Sequence, residues 1–189
     1  MRFALSDHTN ARLRPALGKA REGRTKSVIR KNNMHTKLLY LDVDGVLLGK
    51  TEPNDVEVIM AKHAKEFLEY CLQRYKCYWL TTHCKKGNTT AIVNLLKKYT
   101  DESVMKLIKA INPTSWKTLK TEAIDFQSDF YWIDDQLLWS EIELLKKNNV
   151  FNRWIQVDTR RNPDDLKRVI SILEETDFSK HSIAEYPIL

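Results

Sequence analysis

The sequence is poor in the residues that mark disulfide-linked, zinc-binding and membrane-spanning proteins. It has three cysteines, Cys71, Cys77 and Cys84, among 189 residues, and none of them forms a C-x-x-C pair. This small, odd number argues against a disulfide framework or a zinc knuckle and favours a reducing compartment, for which we expect the cytoplasm. No run of about 18 apolar residues occurs, so we expect no membrane-spanning helix.

Excess positive charge is absent from most of the chain. Residues 1–33 hold nine of the 31 Lys and Arg residues but two of the 25 Asp and Glu residues, a net charge of +7. Residues 34–189 therefore hold 22 basic and 23 acidic residues, a net charge of −1. This body lacks the overall basic charge that favours binding to a nucleic-acid backbone, although a local basic patch is compatible with it.

The N-terminal segment also lacks a sustained apolar period, and we interpret residues 1–33 as a disordered basic arm. Three interpretations stay open: the arm binds nucleic acid, it is an Arg-rich targeting peptide, or translation starts at Met34, directly before the first strand. No apolar core of a signal peptide is present. We expect one folded domain over residues 34–178 and a loose tail over residues 179–189.

The stretch around which the chain is organised is Leu38 to Gly45. Four apolar residues, Leu38–Leu41, predict a strand that is buried on both faces. Asp42 and Asp44 follow it, and Gly45 allows the chain to turn. Because two carboxylates at the end of a buried strand are costly without a facing cation or donor, we expect them to share a site with a hard cation and a phosphate.

The rest of the chain alternates predicted strands with predicted helices. Further strands are expected at residues 76–81, 129–133 and 153–157. Helices are expected at residues 56–74, 88–99, 101–111, 119–126, 138–148 and from Asn162-Pro163 to about residue 175. Residues 46–54 are expected to form a loop. This alternation predicts an α/β fold with a parallel, doubly wound sheet.

Polar side chains follow three of the predicted strands. Asp42 and Asp44 follow the first, Thr81 ends the second, and Asp134 and Asp135 follow the third. Carboxyl ends of parallel strands share one edge of the sheet, so these groups can converge there. Lys120 or Lys117, both before the third strand, adds a positive charge. Carboxylates, a hydroxyl and an ammonium group suit Mg²⁺-assisted phosphoryl transfer.

Each of these residues also has an ordinary structural interpretation. Thr81 also fits the sequence as an ordinary strand residue, and Thr82 is the alternative source of the hydroxyl group at the predicted site. Lys117 or Lys120, taken alone, also fits the sequence as an ordinary solvent-exposed lysine on the surface. Asp134 and Asp135 suit the N-terminal end of the helix that follows. His83 and Cys84 lie beside the predicted site, and a role without chemistry is the simpler interpretation of both.

The chain resembles the haloacid dehalogenase (HAD) superfamily over about Leu38 to Asp158. The resemblance rests on four motifs in this order: D-x-D-G-V; apolar residues followed by Thr; a Lys; and apolar residues followed by D-D. The phrases Tyr78-Trp-Leu-Thr-Thr-His-Cys84 and Leu119-Lys-Thr-Glu-Ala-Ile-Asp125 also resemble a bacterial branch related to the HAD domains of RNA-repair proteins. The resemblance implies a three-layer α/β/α, Rossmann-like fold.

The resemblance also implies residue roles. Asp42 is expected to be the nucleophile that forms an aspartyl-phosphate, and Asp44 the general acid and base. Thr81 is expected to hydrogen-bond a phosphoryl oxygen, and Lys120 to offset negative charge. Mg²⁺ is expected to be held by Asp42, the backbone carbonyl of Asp44 and Asp135, with Asp134 close by or bound through water.

The spacing of these residues bears on the substrate. Only 36 positions separate Asp44 from Thr81, and a similar number separate Thr81 from Lys120, so neither interval has room for a large cap domain. An open site suits a macromolecular or nucleotide phosphate. We expect a Mg²⁺-dependent phosphatase; a nucleic-acid end-processing phosphatase and a non-catalytic HAD-fold binding module stay open as alternatives.

Overall fold

A four-stranded parallel sheet forms the centre of the protein in the computed structural model, which describes residues 37–181. Its strands lie in the order β4-β1-β5-β6. They are β1 (Leu38–Leu41), β4 (Lys76–Trp79), β5 (Phe130–Asp134) and β6 (Trp154–Gln156). The strand that precedes Asp42 is therefore central, as its continuous apolar run predicts, and the α/β class with a parallel sheet is confirmed.

Helices flank this sheet, and a small hairpin-like pair of strands lies outside it. The helices are α1 (Ala64–Arg74), α2 (Thr90–Leu96), α3 (Glu102–Ala110), α4 (Trp139–Lys147) and α5 (Asp165–His181). The short strands β2 (Leu48–Gly49) and β3 (Ile59–Met60) pair with each other in antiparallel fashion. Short 3₁₀ turns occupy Thr82–Cys84, Lys120–Ala123 and Phe151–Arg153.

Successive residues of the central strands belong to two different hydrophobic clusters. Leu39 and Leu41 pack with the buried faces of α1, α3 and α5, whereas Tyr40 packs with Trp132 and with Leu145 of α4. Because neighbouring side chains of a strand point to opposite faces, both faces of the sheet carry apolar packing. The architecture is compatible with a Rossmann-like fold.

The predicted helix at residues 56–74 is wrong in its first half. Helix α1 begins at Ala64, and Ile59–Met60 form β3 instead. The helical spacing of this segment begins with Val58 and Ile59, but Val58 is exposed and Ile59 belongs to β3. The expected loop at residues 46–54 contains β2, and Val46, Leu47 and Leu48 are buried.

Other boundaries differ by smaller amounts. The predicted helix at residues 119–126 is a 3₁₀ turn of four residues. The last helix begins at Asp165, where the Asn162 side chain accepts a hydrogen bond from the Asp164 backbone, and it continues to His181. The predicted arm at residues 1–33 lies outside the described residues, as do residues 182–189 of the predicted tail.

The intervals between the predicted site residues hold only these elements. Between Asp44 and Thr81 lie β2, β3, α1 and β4, and between Thr81 and Lys120 lie a 3₁₀ turn, α2 and α3. Neither interval forms a separate unit, because the described residues 37–181 all belong to one compact body. Among the described residues, no helix is long and apolar enough to cross a membrane.

Candidate active site

A lysine bridges two carboxylates at the carboxyl edge of the central strands. The Lys120 ammonium nitrogen lies 2.9 Å from Asp42 Oδ2 and 2.7 Å from Asp134 Oδ2. Asp42 directly follows β1 and Asp134 ends β5, its hydrogen-bonded neighbour. Burial by itself lowers the pKa of Lys120, but the two carboxylates outweigh it and leave that pKa above its ordinary value. Lys120 is therefore cationic at neutral pH.

Asp134 is completely buried and is held by several donors. Besides Lys120, its Oδ2 accepts a hydrogen bond from Trp132 Nε1 at 3.0 Å, and its Oδ1 accepts one from the Gln136 backbone at 3.2 Å. Burial, and then the nearby charge of Asp42, raise the pKa of Asp134 to about 7, against the opposing effect of Lys120. One lysine thus compensates the negative charge of this pair incompletely.

Asp135 completes a group of three carboxylates. One oxygen each from Asp42, Asp134 and Asp135 lie within 4.8 Å of one another. Asp135 is less buried than the other two, and its Oδ2 forms an ion pair with the Arg160 guanidinium. Arg160 Nε also lies 3.4 Å from Asp158 Oδ1, so the segment after β6 supplies a second cation to the edge.

These oxygens match the ligands that Mg²⁺ prefers. All three acids also have protein donors: Asp134 has three, Asp42 accepts from the Val43 backbone and from Lys120, and Asp135 pairs with Arg160. The three carboxylates are therefore a candidate cation site.

The turn after β1 leaves no room for a side chain at Gly45. Its φ is +73°, and a Cβ there would lie 2.6 Å from Asp135 Oδ2 and 2.8 Å from Arg160 Nη2. Thr159 fixes the same turn, because its backbone N–H and its hydroxyl both donate to the Gly45 carbonyl, at 2.8 and 3.1 Å. Glycine therefore permits both the turn and the close approach of Asp135.

The side chain of Asp44 contacts His83 and is not a member of the three-carboxylate group. Its Oδ2 lies 3.0 Å from His83 Nε2, and just over half of its side chain is exposed. Asp44 is thus within reach of solvent and of a bound molecule, beside the buried Asp42. This difference in environment allows the two acids to have different roles.

Thr81 lies next to the turn after β1 and is fully buried. Leu80, which precedes it, donates its backbone N–H to Leu41, which precedes Asp42. The Thr81 hydroxyl accepts a long hydrogen bond, 3.5 Å, from the His83 backbone. Thr82, its rival, is exposed.

Two glutamates hold the 3₁₀ turn that presents Lys120. Glu122 accepts hydrogen bonds from the backbone N–H groups of Lys117, Thr118 and Leu119, and these bonds lower its pKa. The buried Glu141 of α4 accepts from the Lys120 backbone at 2.8 Å and from the Leu138 backbone at 3.0 Å. The turn is therefore anchored to the start of α4.

The structure thus gathers Asp42, Lys120, Asp134 and Asp135 in one group, and it puts Asp44 and Thr81 in the two segments beside it. Lys120, rather than Lys117, is the lysine that contacts the carboxylates. The Asp44 side chain is not a member of the three-carboxylate group, although sequence reasoning included Asp44 among the cation ligands through its backbone carbonyl. Cys84 is buried, its thiol lies 3.7 Å from the Thr114 carbonyl, and burial raises its pKa.

Sequence reasoning missed Arg160, Glu141 and the contact of His83 with Asp44. A signal existed for Arg160, because it lies in the segment that follows β6, the fourth strand of the sheet along the chain. Glu141 carries the pattern of an acid in the first turn of a helix, which predicts a cap but not its second bond to Lys120. His83 was noticed as a neighbour of the site and was given no partner.

Comparison with known proteins adds no relative: no family model, no curated protein and no solved structure matches the chain.

Proposed function

We propose that the protein is a Mg²⁺-dependent phosphatase that works through an aspartyl-phosphate, with the three-layer architecture and residue roles implied by its resemblance to the HAD superfamily. The observation that carries the proposal is the position of Lys120, 2.9 Å from Asp42 and 2.7 Å from Asp134 beside a third carboxylate. A phosphoryl group bound here would meet a carboxylate nucleophile and a fixed positive charge together.

In the first step, an Asp42 carboxylate oxygen attacks phosphorus, and the bond to the leaving oxygen breaks. Asp44 gives a proton to that oxygen, so the leaving group departs as an alcohol. In the second step, water attacks the aspartyl-phosphate while Asp44 takes a proton from the water. Inorganic phosphate leaves, and the Asp42 carboxylate is restored.

The surrounding groups hold and neutralise charge during both steps. Lys120 offsets the charge on Asp42 and on the transferred phosphoryl group, and Asp134 keeps its ammonium in place. The Thr81 hydroxyl is proposed to donate to a phosphoryl oxygen. A bound Mg²⁺, held by Asp42, the Asp44 carbonyl and Asp135, would supply further neutralisation of the phosphate charge.

The proposal is tested by turnover of an aryl phosphate in the presence of Mg²⁺ and of EDTA. Asp42→Asn removes the nucleophile but keeps the shape of the side chain, and we expect a loss of about 10³-fold or more in kcat. Asp164→Asn is the matched control, because Asp164 belongs to a separate surface group with Lys62 and His63.

The results separate the phosphatase from a non-catalytic HAD-fold binding module. Turnover that requires Mg²⁺ and is lost only in Asp42→Asn supports the phosphatase. A wild-type protein that is inactive with Mg²⁺ across a broad panel of phosphomonoesters, or an Asp42→Asn variant as active as the wild type, contradicts it.

A further inference from the structure

The segment that follows Thr81 has an unusual charge for this chain. Residues 81–100 contain four lysines and no Asp or Glu, whereas residues 34–189 as a whole carry a net charge of −1. No described ion pair involves Lys85 or Lys86. This segment therefore forms a local positive patch on a body that is otherwise nearly neutral.

Part of the patch lines an open cleft of about 570 Å³. Two lysines and four neutral polar residues form most of its lining, and no carboxylate contributes: Thr82, Lys85, Lys86, Asn88, Thr90 and Asn94. Ammonium, amide and hydroxyl groups are all donors that suit an anion. A second cleft, between β6 and α5, has mixed charge from Asp158, Asp165 and Arg168 and offers no such preference.

The cleft adjoins the candidate active site through His83. His83 lines the cleft, and its Nε2 lies 3.0 Å from Asp44, the residue proposed to protonate the leaving oxygen. The leaving group of a bound phosphomonoester lies on the side of the general acid. The cleft is therefore the space into which a longer leaving group would extend.

The wall that carries the lysines is fixed before any ligand binds. Cys84 and Gly87 donate backbone hydrogen bonds to Thr81 and Cys84, each at 3.0 Å, and Trp116 donates one to the Lys85 carbonyl at 3.1 Å. The Lys85 ammonium lies 4.5 Å from the centre of the Trp116 ring. Such preorganisation reduces the entropy lost when an anion is bound.

We propose that this cleft is a binding site for a second phosphate, carried by the leaving group of the substrate. The inference rests on the proposed phosphatase activity and narrows its substrate class to phosphomonoesters that bear another phosphate nearby. A nucleoside bisphosphate and a short oligonucleotide with a terminal phosphate both present this chemistry, the first as a monoester and the second as an internal diester.

The experiment compares a Lys85→Gln/Lys86→Gln variant with a Lys97→Gln/Lys98→Gln control. The two variants lose the same charge from the same segment, but Lys97 and Lys98 do not line the cleft. Four substrates are used with Mg²⁺: an aryl phosphate, a nucleoside monophosphate, a nucleoside 3′,5′-bisphosphate and a dinucleotide with a terminal phosphate. The readout is the ratio of kcat/KM for each substrate with two phosphates to that for the nucleoside monophosphate.

We expect the wild type to prefer a substrate with a second phosphate, and the Lys85→Gln/Lys86→Gln variant to lose about tenfold of that preference through KM. The control variant is expected to keep it. If the wild type prefers only the bisphosphate over the monophosphate, the cleft binds a terminal phosphate. If it prefers the dinucleotide, the cleft binds a phosphodiester. A ratio near one in the wild type, or equal ratios in both variants, overturns the inference while leaving the phosphatase intact.

Binding of the bisphosphate to Asp42→Asn, measured by calorimetry with Mg²⁺, separates the two proposals. Suppose that the wild type shows no turnover, but that replacing Lys85 and Lys86 in the Asp42→Asn protein weakens its binding of the bisphosphate. This result contradicts the phosphatase and supports the cleft. Turnover by the wild type, together with binding that these replacements do not change, contradicts the cleft alone.

Discussion

At the scale of single residues, the site depends on one cation shared by two carboxylates in a buried place. Asp42 and Asp134 are 7% and 0% exposed, and Lys120 lies between them. Removing the partner of a buried charge is costly because the remaining charge is neither solvated nor paired. The charge of Lys120 therefore affects the protonation of Asp134 and, in the proposed phosphatase, the charge facing the phosphoryl group.

Replacing Lys120 with Met should lower kcat by about 10²- to 10³-fold, because the fixed charge that faces the phosphoryl group is lost. Lys117→Met is the control, since Lys117 contacts Glu122 only through its backbone. Steady-state kinetics on an aryl phosphate measures both variants. Equal losses in the two variants would show that Lys120 has no special place at the site.

Asp134 should make the stability of the metal-free protein depend on pH. Its pKa is raised from 3.8 to about 7 in the folded state, so the folded protein binds one more proton than the unfolded chain between these values. The free energy of unfolding should therefore fall as pH rises from about 4 to about 7. Asp134→Asn should remove this part of the slope.

Urea denaturation in EDTA at a series of pH values measures that difference. Carboxyl groups remote from Asp134 contribute equally to both proteins and cancel in the difference between the two curves. A difference that does not vary with pH would mean that Asp134 titrates like an exposed carboxyl group.

At the scale of elements, the site is assembled where short segments meet the strand ends. Lys120 sits on a 3₁₀ turn of four residues, and Glu141 joins the backbone of that turn to the first turn of α4. Short turns are not stable alone, so their position depends on such contacts. The position of Lys120 therefore depends on the contact between its 3₁₀ turn and α4, and not on the turn alone.

Glu141→Ala should leave two backbone N–H groups without their acceptor and destabilise the protein by about 1–3 kcal/mol. It should also lower kcat, because the turn that presents Lys120 loses its anchor. Glu143→Ala, on the exposed face of the same helix, should change stability by no more than about 0.5 kcal/mol. Thermal denaturation and turnover are both measured; a Glu141→Ala variant that matches the Glu143→Ala variant contradicts this account of the turn.

The sequence predicts the central elements well and the connecting ones less well, for physical reasons. The apolar run Leu38–Leu41 predicts a buried strand, and the acids after it are predicted to lie at the carboxyl edge of the sheet. Val58 and Ala61, three positions apart, have the spacing of one helix face although Val58 is exposed, so the sequence does not indicate β3. Lys117 and Lys120 could not be told apart, because tertiary contacts with α4 and Glu122 fix the phase of the 3₁₀ turn.

At the scale of the whole molecule, charge is divided between the N-terminal segment and the rest. Residues 1–33 carry a net charge of +7, and residues 34–189 carry −1, with the local positive patch at residues 81–100. All residues proposed for catalysis lie between Asp42 and Asp135. Most of the net positive charge can therefore be removed without removing a residue proposed for catalysis.

A protein that begins at Met34 should hydrolyse an aryl phosphate at the same rate as the full chain. It should also be released from a heparin column at lower salt, because most of the net positive charge has been removed. Turnover and the salt concentration at elution are measured for both proteins. Loss of turnover, or an unchanged elution, contradicts this division of roles.

The most direct test of the account is to trap the covalent intermediate at Asp42. The wild-type protein is mixed with substrate and Mg²⁺, quenched in acid and reduced with borohydride, which converts an aspartyl-phosphate to homoserine; the peptides are then identified by mass spectrometry. We predict homoserine at position 42, and none in a sample without substrate. Turnover of the substrate with an unmodified Asp42, or with the modification at another carboxylate, would contradict the central claim.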